Sequence, residues 1–572
     1  MARTFRYKSD TSDFRDIAAR VYVQDPLVAK RDGLGLLTLH LPGEAWLGPG
    51  PTTARIEVLD EDEHGVQLAP PVVPLARGGG FAVGRADPVK NFKHHQVNVW
   101  AHVARTLAIL EDSRVLGRRI AWAFPGGRLI LRPHAFRAEN AYYDREQGAI
   151  HFGYFDVGTG RQKRVVYACL SHDIITHELG HAVLDGLKPL YYELDSPDVA
   201  GFHEYFGDAL AMVSSLTMRE VVRAIVRERP GKLGLRNLVS DIALEFGSND
   251  RGEQPLRSAA NRRTMRDLRG QWEEHDYSEV LTGAFYDLLR ALYEDSVARR
   301  AKDAKGPGKA KLNGQDVVGA LISAAERTSR MMLRALDYCP PCGLTYLDYA
   351  RAIIRSDEVA YPIDERGYRA LLARVMQGRG VVAGPGDLRP EHPLQNSDLR
   401  KYAIERLSAS PTDAYAFLDS NREALMIPRD VNFVVQKLYR TRKESSGRYY
   451  PPQEIVIEFA WPQPVRVPKQ HRHALGSAPA TLWCGGTLVF DTNGNVLSYV
   501  VKRATPERQK RLLEYLAQLA ADGSFEANFD VRDIDGRLRI TRKARMRHAA
   551  ARHLVGTPAS TSGLNRPKGS KP

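Results

Sequence analysis

The chain is predicted to be an α+β protein with a strand-rich start, a long helical middle and a smaller mixed end. Three observations lead to this. Short apolar runs broken by Pro and Gly fill residues 1–88. Helical patterning dominates 164–377. Alternating strand patterns return after a Gly/Pro-rich stretch at 378–390. An apolar content of 43% and an aromatic content of 8% are ordinary for a soluble globular protein, and 572 residues allow several domains.

In the first region the runs at 35–41 and 54–59 read as strands. The glycines of 77–81 read as a linker, because no strand–turn–helix context supports a phosphate loop. A helix is expected over 96–111, where Val97, Val99, Val103, Leu107 and Leu110 recur. Strand-like runs follow at 119–124, 128–131 and 148–155. The lysine-rich stretch 302–311 reads as an exposed loop. Near the end, 454–459 and 487–501 alternate like strands around a hairpin turn at 491–495. Thr505, Pro506 and Gly523 then bracket a helix with cap, first-turn proline and terminal glycine in order. The expected units are 1–88, 89–380, 390–535 and a basic tail, 536–572, disordered at its end.

The net charge of +14 belongs mostly to that tail. From 537 onward there are ten Lys/Arg and no Asp/Glu, leaving 72 basic against 68 acidic residues before it. Without interleaved aromatics or a recognisable module, the tail argues against a nucleic-acid partner. Four cysteines suit a reducing compartment. Cys339-Pro-Pro-Cys342 reads as a structural turn, and Cys169 and Cys484 stand alone. With no apolar leader and no run of 18 apolar residues, the expected location is the cytoplasm and no membrane span is expected.

The chemistry centres on His177-Glu178-Leu179-Gly180-His181. On a helix, residues four apart share a face, so His177 and His181 can present imidazoles to one Zn²⁺. Glu178 lies about a hundred degrees round the helix, where it can act as a general base without becoming a ligand. A zinc hydrolase needs a third protein ligand, and Glu204 on a second helical stretch is the candidate. Asp208, one turn further, can orient a liganding histidine. Asp173 and Asp185 give the first helix an acidic polar face opposite Ile175, Leu179 and Ala182.

The stretch 173–185, followed by His203-Glu204-Tyr205-Phe206-Gly207-Asp208, resembles the active-site helices of thermolysin-like metallopeptidases, the gluzincins. The resemblance covers roughly 90–380. It implies a two-lobed catalytic domain with one zinc per chain on His177, His181 and Glu204, acting on peptide or protein substrates. Glu139-Asn140-Ala141-Tyr142-Tyr143 is similar to the family's substrate-binding edge strand, where Asn140 and Ala141 would hold the peptide backbone. Leu256-Arg257-Ser258 is similar to the segment whose arginine binds a substrate carbonyl. His275 would stabilise the oxyanion, as in the fungalysin branch; the family's orienting carboxylate has no clear counterpart here, Glu273 and Glu274 being the candidates. Either Tyr191 or Tyr192 could take the place of the transition-state tyrosine. Ser215, where several relatives carry a calcium-binding carboxylate, argues against calcium dependence. The expected activity is that of a zinc metalloendopeptidase. The alternative is a zinc-containing, non-catalytic protein that binds a peptide or partner in the same cleft.

Overall fold

The computed structural model describes residues 16–542, apart from 45, 63, 76–79, 159, 161–162, 194, 248–254, 271, 305–312, 446–450, 524, 526–528 and 535–536. The glycine linker at 77–81, the lysine-rich loop at 302–311 and the end of the basic tail therefore fall largely or wholly outside the described residues. The architecture is mixed α and β.

Strands β1 (Asp16–Tyr22) and β2 (Leu36–Pro42) pair antiparallel around a short helix, α1 (Pro26–Arg31), which the strand-and-loop reading of this region did not include. Alternate β1 residues Ile17, Ala19 and Val21 are buried, as a half-buried ribbon requires. After β3 (Ile56–Val58), the ribbon packs on α2 (Phe92–Glu111). That helix starts at Phe92 rather than Gln96, because the Asn91 side chain accepts from Lys93 N–H and caps it there. The polar residues that hid this first turn, His94 and His95, are buried.

β4 (Leu129–Phe136), β5 (Ala141–Asp144), β6 (Ala149–Val157) and β7 (Arg164–Tyr167) complete a sheet with β3, in the order β3-β4-β6-β5, β7 also pairing with β6. The strands expected at 128–131 and 148–155 are β4 and β6. The one expected at 119–124 is absent: its backbone groups are taken up by side chains instead. Ile120 N–H donates to Glu111 Oε1 at 2.9 Å, and Arg55 donates to the Ile120 carbonyl. Among the described residues β5 pairs only with β6, so its other edge is unpaired.

The helical middle holds α3 (His172–Leu187), α4 (Pro197–Leu216), α5 (Arg219–Glu228), α6 (Leu244–Gly247), α7 (Glu274–Ala304), α8 (Gly314–Arg334), α9 (Tyr346–Ala360) and α10 (Tyr368–Gly378). Two-residue strands β8 (Asp241–Ile242) and β9 (Arg257–Ser258) pin the intervening loop. α3 lies against α2, α4 and β5, and α4 also packs on α7. Every residue of α3 and α4 is buried. The acidic polar face expected of α3 is thus not solvated, and each of its carboxylates has a specific partner. Asp185 is paired with Arg145 and accepts from Tyr143 Oη at 2.9 Å. Asp173 accepts from Ala243 N–H at 3.0 Å.

Beyond α11 (Ile404–Leu407) and α12 (Pro411–Ser420) lies a six-stranded sheet. It comprises β10 (Val434–Thr441), β11 (Glu454–Val465), β12 (Ala480–Asp491), β13 (Val496–Lys502), β14 (Phe529–Ile534) and β15 (Arg537–Arg542), with α13 (Arg472–Leu475) and α14 (Pro506–Ala521) inserted. The β12–β13 turn forms where expected, Asp491 Oδ1 accepting from the N–H groups of Asn493 and Asn495. Thr505 caps α14 through Arg508 N–H. The sheet reaches into the stretch assigned to the tail, because β15 pairs with β14 and, in parallel, with β12. Its alternation is too short to register as a sustained period. Buried ion pairs join this sheet to the rest, with Lys188 Nζ 2.7 Å from Glu458 and Lys443 Nζ 2.7 Å from both Asp337 and Glu454. No described helix is long and apolar enough to cross a membrane.

Candidate metal centre and cleft

Ser171 opens α3 by accepting from Ile174 N–H, which sets the phase of the helix and aims His177 and His181 at α4. Their Nε2 atoms are 3.2 Å apart. Glu204, on α4, places Oε2 at 3.3 Å from His177 Nε2 and Oε1 at 3.8 Å from His181 Nε2. Donors about 2.0–2.2 Å from a tetrahedral Zn²⁺ are about 3.3–3.5 Å from one another. The three side chains therefore stand within a few tenths of an ångström of the spacing this ion needs.

Two glycines permit that spacing. A Cβ on Gly180 would lie 2.7 Å from the Gly207 Cα, and a Cβ on Gly207 would lie 2.5 Å from His177 Nδ1. Backbone meets backbone where α3 crosses α4, and neither position has room for a side chain.

Asp208 accepts the N–H of His177 Nδ1 at 3.0 Å, which leaves the Nε2 lone pair for a metal. Arg257 in turn holds Asp208, its NH2 donating to Oδ1 at 2.8 Å and its Nε to Oδ2 at 3.1 Å. Burial alone would raise the Asp208 carboxyl, but the Arg257 guanidinium and the His177 ring outweigh it and hold it below the ordinary carboxylate range.

Glu178 faces a cleft whose walls include Asn140, Ala141, His177, Glu204, Arg257 and His275. His275 stands at the start of α7, with Nδ1 2.6 Å from Glu273 Oε1 and Nε2 3.3 Å from Glu204 Oε2. Burial opposes its protonation, but the Glu204 and Glu273 carboxylates prevail and raise it well above the usual histidine range. Of the two carboxylates that the sequence offered, Glu273 is hydrogen-bonded to His275. Asn140 Oδ1 accepts from Ala141 N–H at 2.9 Å, at the start of edge strand β5.

Tyr191 and Tyr192 are not among the residues lining the cleft. The Tyr191 hydroxyl donates to the Pro340 carbonyl at 2.7 Å, and the Tyr192 ring lies 3.8 Å beneath the Arg145 guanidinium. Ser215 is occupied with Gln24 and His172. The 339–342 turn is buried, its cysteines free and Cys339 Sγ bonded to the Ala335 carbonyl, while desolvation raises both thiols.

The sequence reading missed the apolar wall of Ile242, Ala243, Phe246 and Leu256, which no motif marks. It also missed that Asp173 lines the cleft, its carboxyl pushed up to about 7 by burial. A wider cavity of about 330 Å³ between α9 and β13 carries arginines already committed to carboxylates, such as Arg355 to Glu358 and Arg369 to Asp357. No family model matches the chain, and no curated protein is significantly similar to it.

Proposed function

We propose that the protein is a zinc-dependent metallopeptidase of thermolysin-like, two-lobed design, with α3 between the sheet of β3–β7 and the helices α4 and α7. One observation carries this reading: His177, His181 and Glu204 stand close to tetrahedral spacing, and His177 and Glu204 line the same cleft as Glu178 and His275. A Zn²⁺ ion held by those three side chains would supply Lewis acidity to a substrate carbonyl and to water.

The protein's own groups account for the rest. An extended peptide adds to the free edge of β5, where Asn140 and Ala141 meet its backbone. Glu178 takes a proton from the attacking water and hands it to the departing amine. His275, held as an imidazolium between Glu273 and Glu204, donates to the developing oxyanion, an interaction of about 3 kcal/mol in comparable sites. Arg257 keeps Asp208 ionised and aligned on His177, and it borders the space beyond the scissile bond. A cleft of this kind favours endopeptidase action on a short extended segment.

The test is Glu178→Gln, assayed with a quenched-peptide library alongside metal analysis. Turnover should fall by roughly 10³-fold while zinc stays bound. Unchanged turnover in this variant would refute the general-base role. Stoichiometric zinc in a wild-type protein that cleaves no peptide would favour a peptide-binding function of the same cleft.

A further inference from the structure

A second cluster of metal-binding side chains lies apart from the cleft, on elements that the proposed chemistry does not use. His95 comes from α2, His134 from β4, and Cys169 from the short turn that leads into α3. All three are fully buried.

Their hydrogen bonds fix the ring nitrogens. His95 Nε2 lies 3.0 Å from the Val89 carbonyl and 3.2 Å from that of Pro88; carbonyls only accept, so this nitrogen carries the hydrogen. His134 Nδ1 lies 2.6 Å from Asp60 Oδ1, while Asp60 Oδ2 accepts from Gln96 Nε2 at 2.8 Å. Asp60 is thus an acceptor at both oxygens, and His134 carries its hydrogen on Nδ1. In neutral rings the remaining nitrogens, His95 Nδ1 and His134 Nε2, both present lone pairs. They face each other at 2.7 Å, with Cys169 Sγ 4.0 Å from His134 Nε2. Two lone pairs are not held together in a dry interior unless a proton or a metal ion lies between them, and the third donor beside them, Cys169 Sγ, favours the metal ion.

We infer that His95 Nδ1, His134 Nε2 and Cys169 Sγ form a second, structural site for one Zn²⁺ ion. Imidazole and thiolate are its preferred donors, and Asp60 and the Val89 carbonyl orient the rings as outer partners do in zinc sites. Charge supports zinc over a monovalent ion. Zn²⁺, one thiolate and the Asp60 carboxylate sum to zero, so no net charge is buried. The rings must part by about 0.6–0.8 Å to reach the donor spacing of a tetrahedral ion. Phe92 stacks on His134 at 4.0 Å and Tyr167 packs edge-on to His95 at 4.7 Å, closing the site away from substrate. The bound ion ties α2 and β4 to the chain just before Ser171, the cap of the helix that bears His177.

Cobalt substitution tests the site by a readout that the first centre cannot give, because only a thiolate ligand produces the near-ultraviolet sulfur-to-Co²⁺ charge-transfer band. The full-length protein loaded with Co²⁺ should show that band, and the His177→Ala/His181→Ala variant should keep it. Cys169→Ser and His134→Gln, checked for folding by circular dichroism, should lose it together with about one zinc per chain of the wild-type content of about two. No sulfur band in cobalt-loaded wild type would overturn the inference, without any variant having to fold. Unchanged zinc content in folded Cys169→Ser would do so too. Cys169-dependent uptake of copper but not of zinc would overturn the choice of ion. A result in which only the first centre's activity fails would bear on the proposed peptidase and leave this site standing.

Discussion

The two histidine clusters are built from the same parts and differ in what surrounds them. Each pairs two imidazoles with a third donor, and each has one ring oriented by a buried aspartate, Asp208 in the first and Asp60 in the second. The first opens on a cleft that also holds Glu178 and His275, next to a strand with a free edge. The second is packed against the rings of Phe92 and Tyr167. On the proposed readings, ligand sets of one kind would serve chemistry in one place and architecture in the other. What would separate them is access, with Glu178 and His275 lining the cleft beside the first.

The sharpest way to break this comparison is to disturb the orienting aspartates in turn. Asp208→Asn removes the charge that aligns His177 and should cost about 10–100-fold in zinc affinity at the first centre, with peptide turnover falling in step. Asp60→Asn should leave turnover per folded molecule unchanged while lowering the melting free energy by about 1–3 kcal/mol, read by denaturant titration. Equal effects of the two on turnover would erase the division into a chemical and an architectural cluster. Gly180→Ala pushes a methyl against the Gly207 backbone and should destabilise by about 2 kcal/mol with weakened zinc uptake, measured by thermal melting and metal competition.

The smallest expected effect lies between the clusters, at the cap of α3. Asp25 is buried there, its Oδ2 accepting from Glu245 N–H at 2.7 Å, and desolvation with repulsion from Asp173 pushes its carboxyl up to about 6. The folded state thus holds this proton more tightly than the unfolded chain, whose aspartate titrates near 3.8. The resulting stability is fully present below the unfolded value, falls as pH rises, and is gone above about 6. Asp25→Asn should therefore gain stability relative to wild type at pH 8, on the order of 1–2 kcal/mol, and lose that advantage toward pH 4. A pH-independent difference between the two melting curves would count against this account.

What was readable in the sequence was what is local. His177 and His181 share a face by helix geometry alone, Thr505 and Pro506 announce α14, and the Asp491 turn organises its own backbone. The choice between Glu273 and Glu274 was local too, yet it depended on which way α7 starts. The reading failed where side chains from distant segments satisfied a backbone, as Glu111 and Arg55 do at Ile120. It also failed where burial followed from layering, as for the carboxylates of α3. The second cluster was invisible for the same reason. His95, His134 and Cys169 come from three elements with no fixed spacing, and Cys169 looked solitary until the sheet and α2 were brought together.

The contact between Gly180 and Gly207 bears on which ion the first centre accepts. The separation of α3 and α4 at that crossing sets how far Glu204 stands from the two imidazoles, and neither helix can move apart without unpacking residues buried along its whole length. If the centre holds Zn²⁺ as proposed, a larger cation such as Cd²⁺ would have to spread the helices, and discrimination by ionic radius would be exercised by two residues that offer no donor atom.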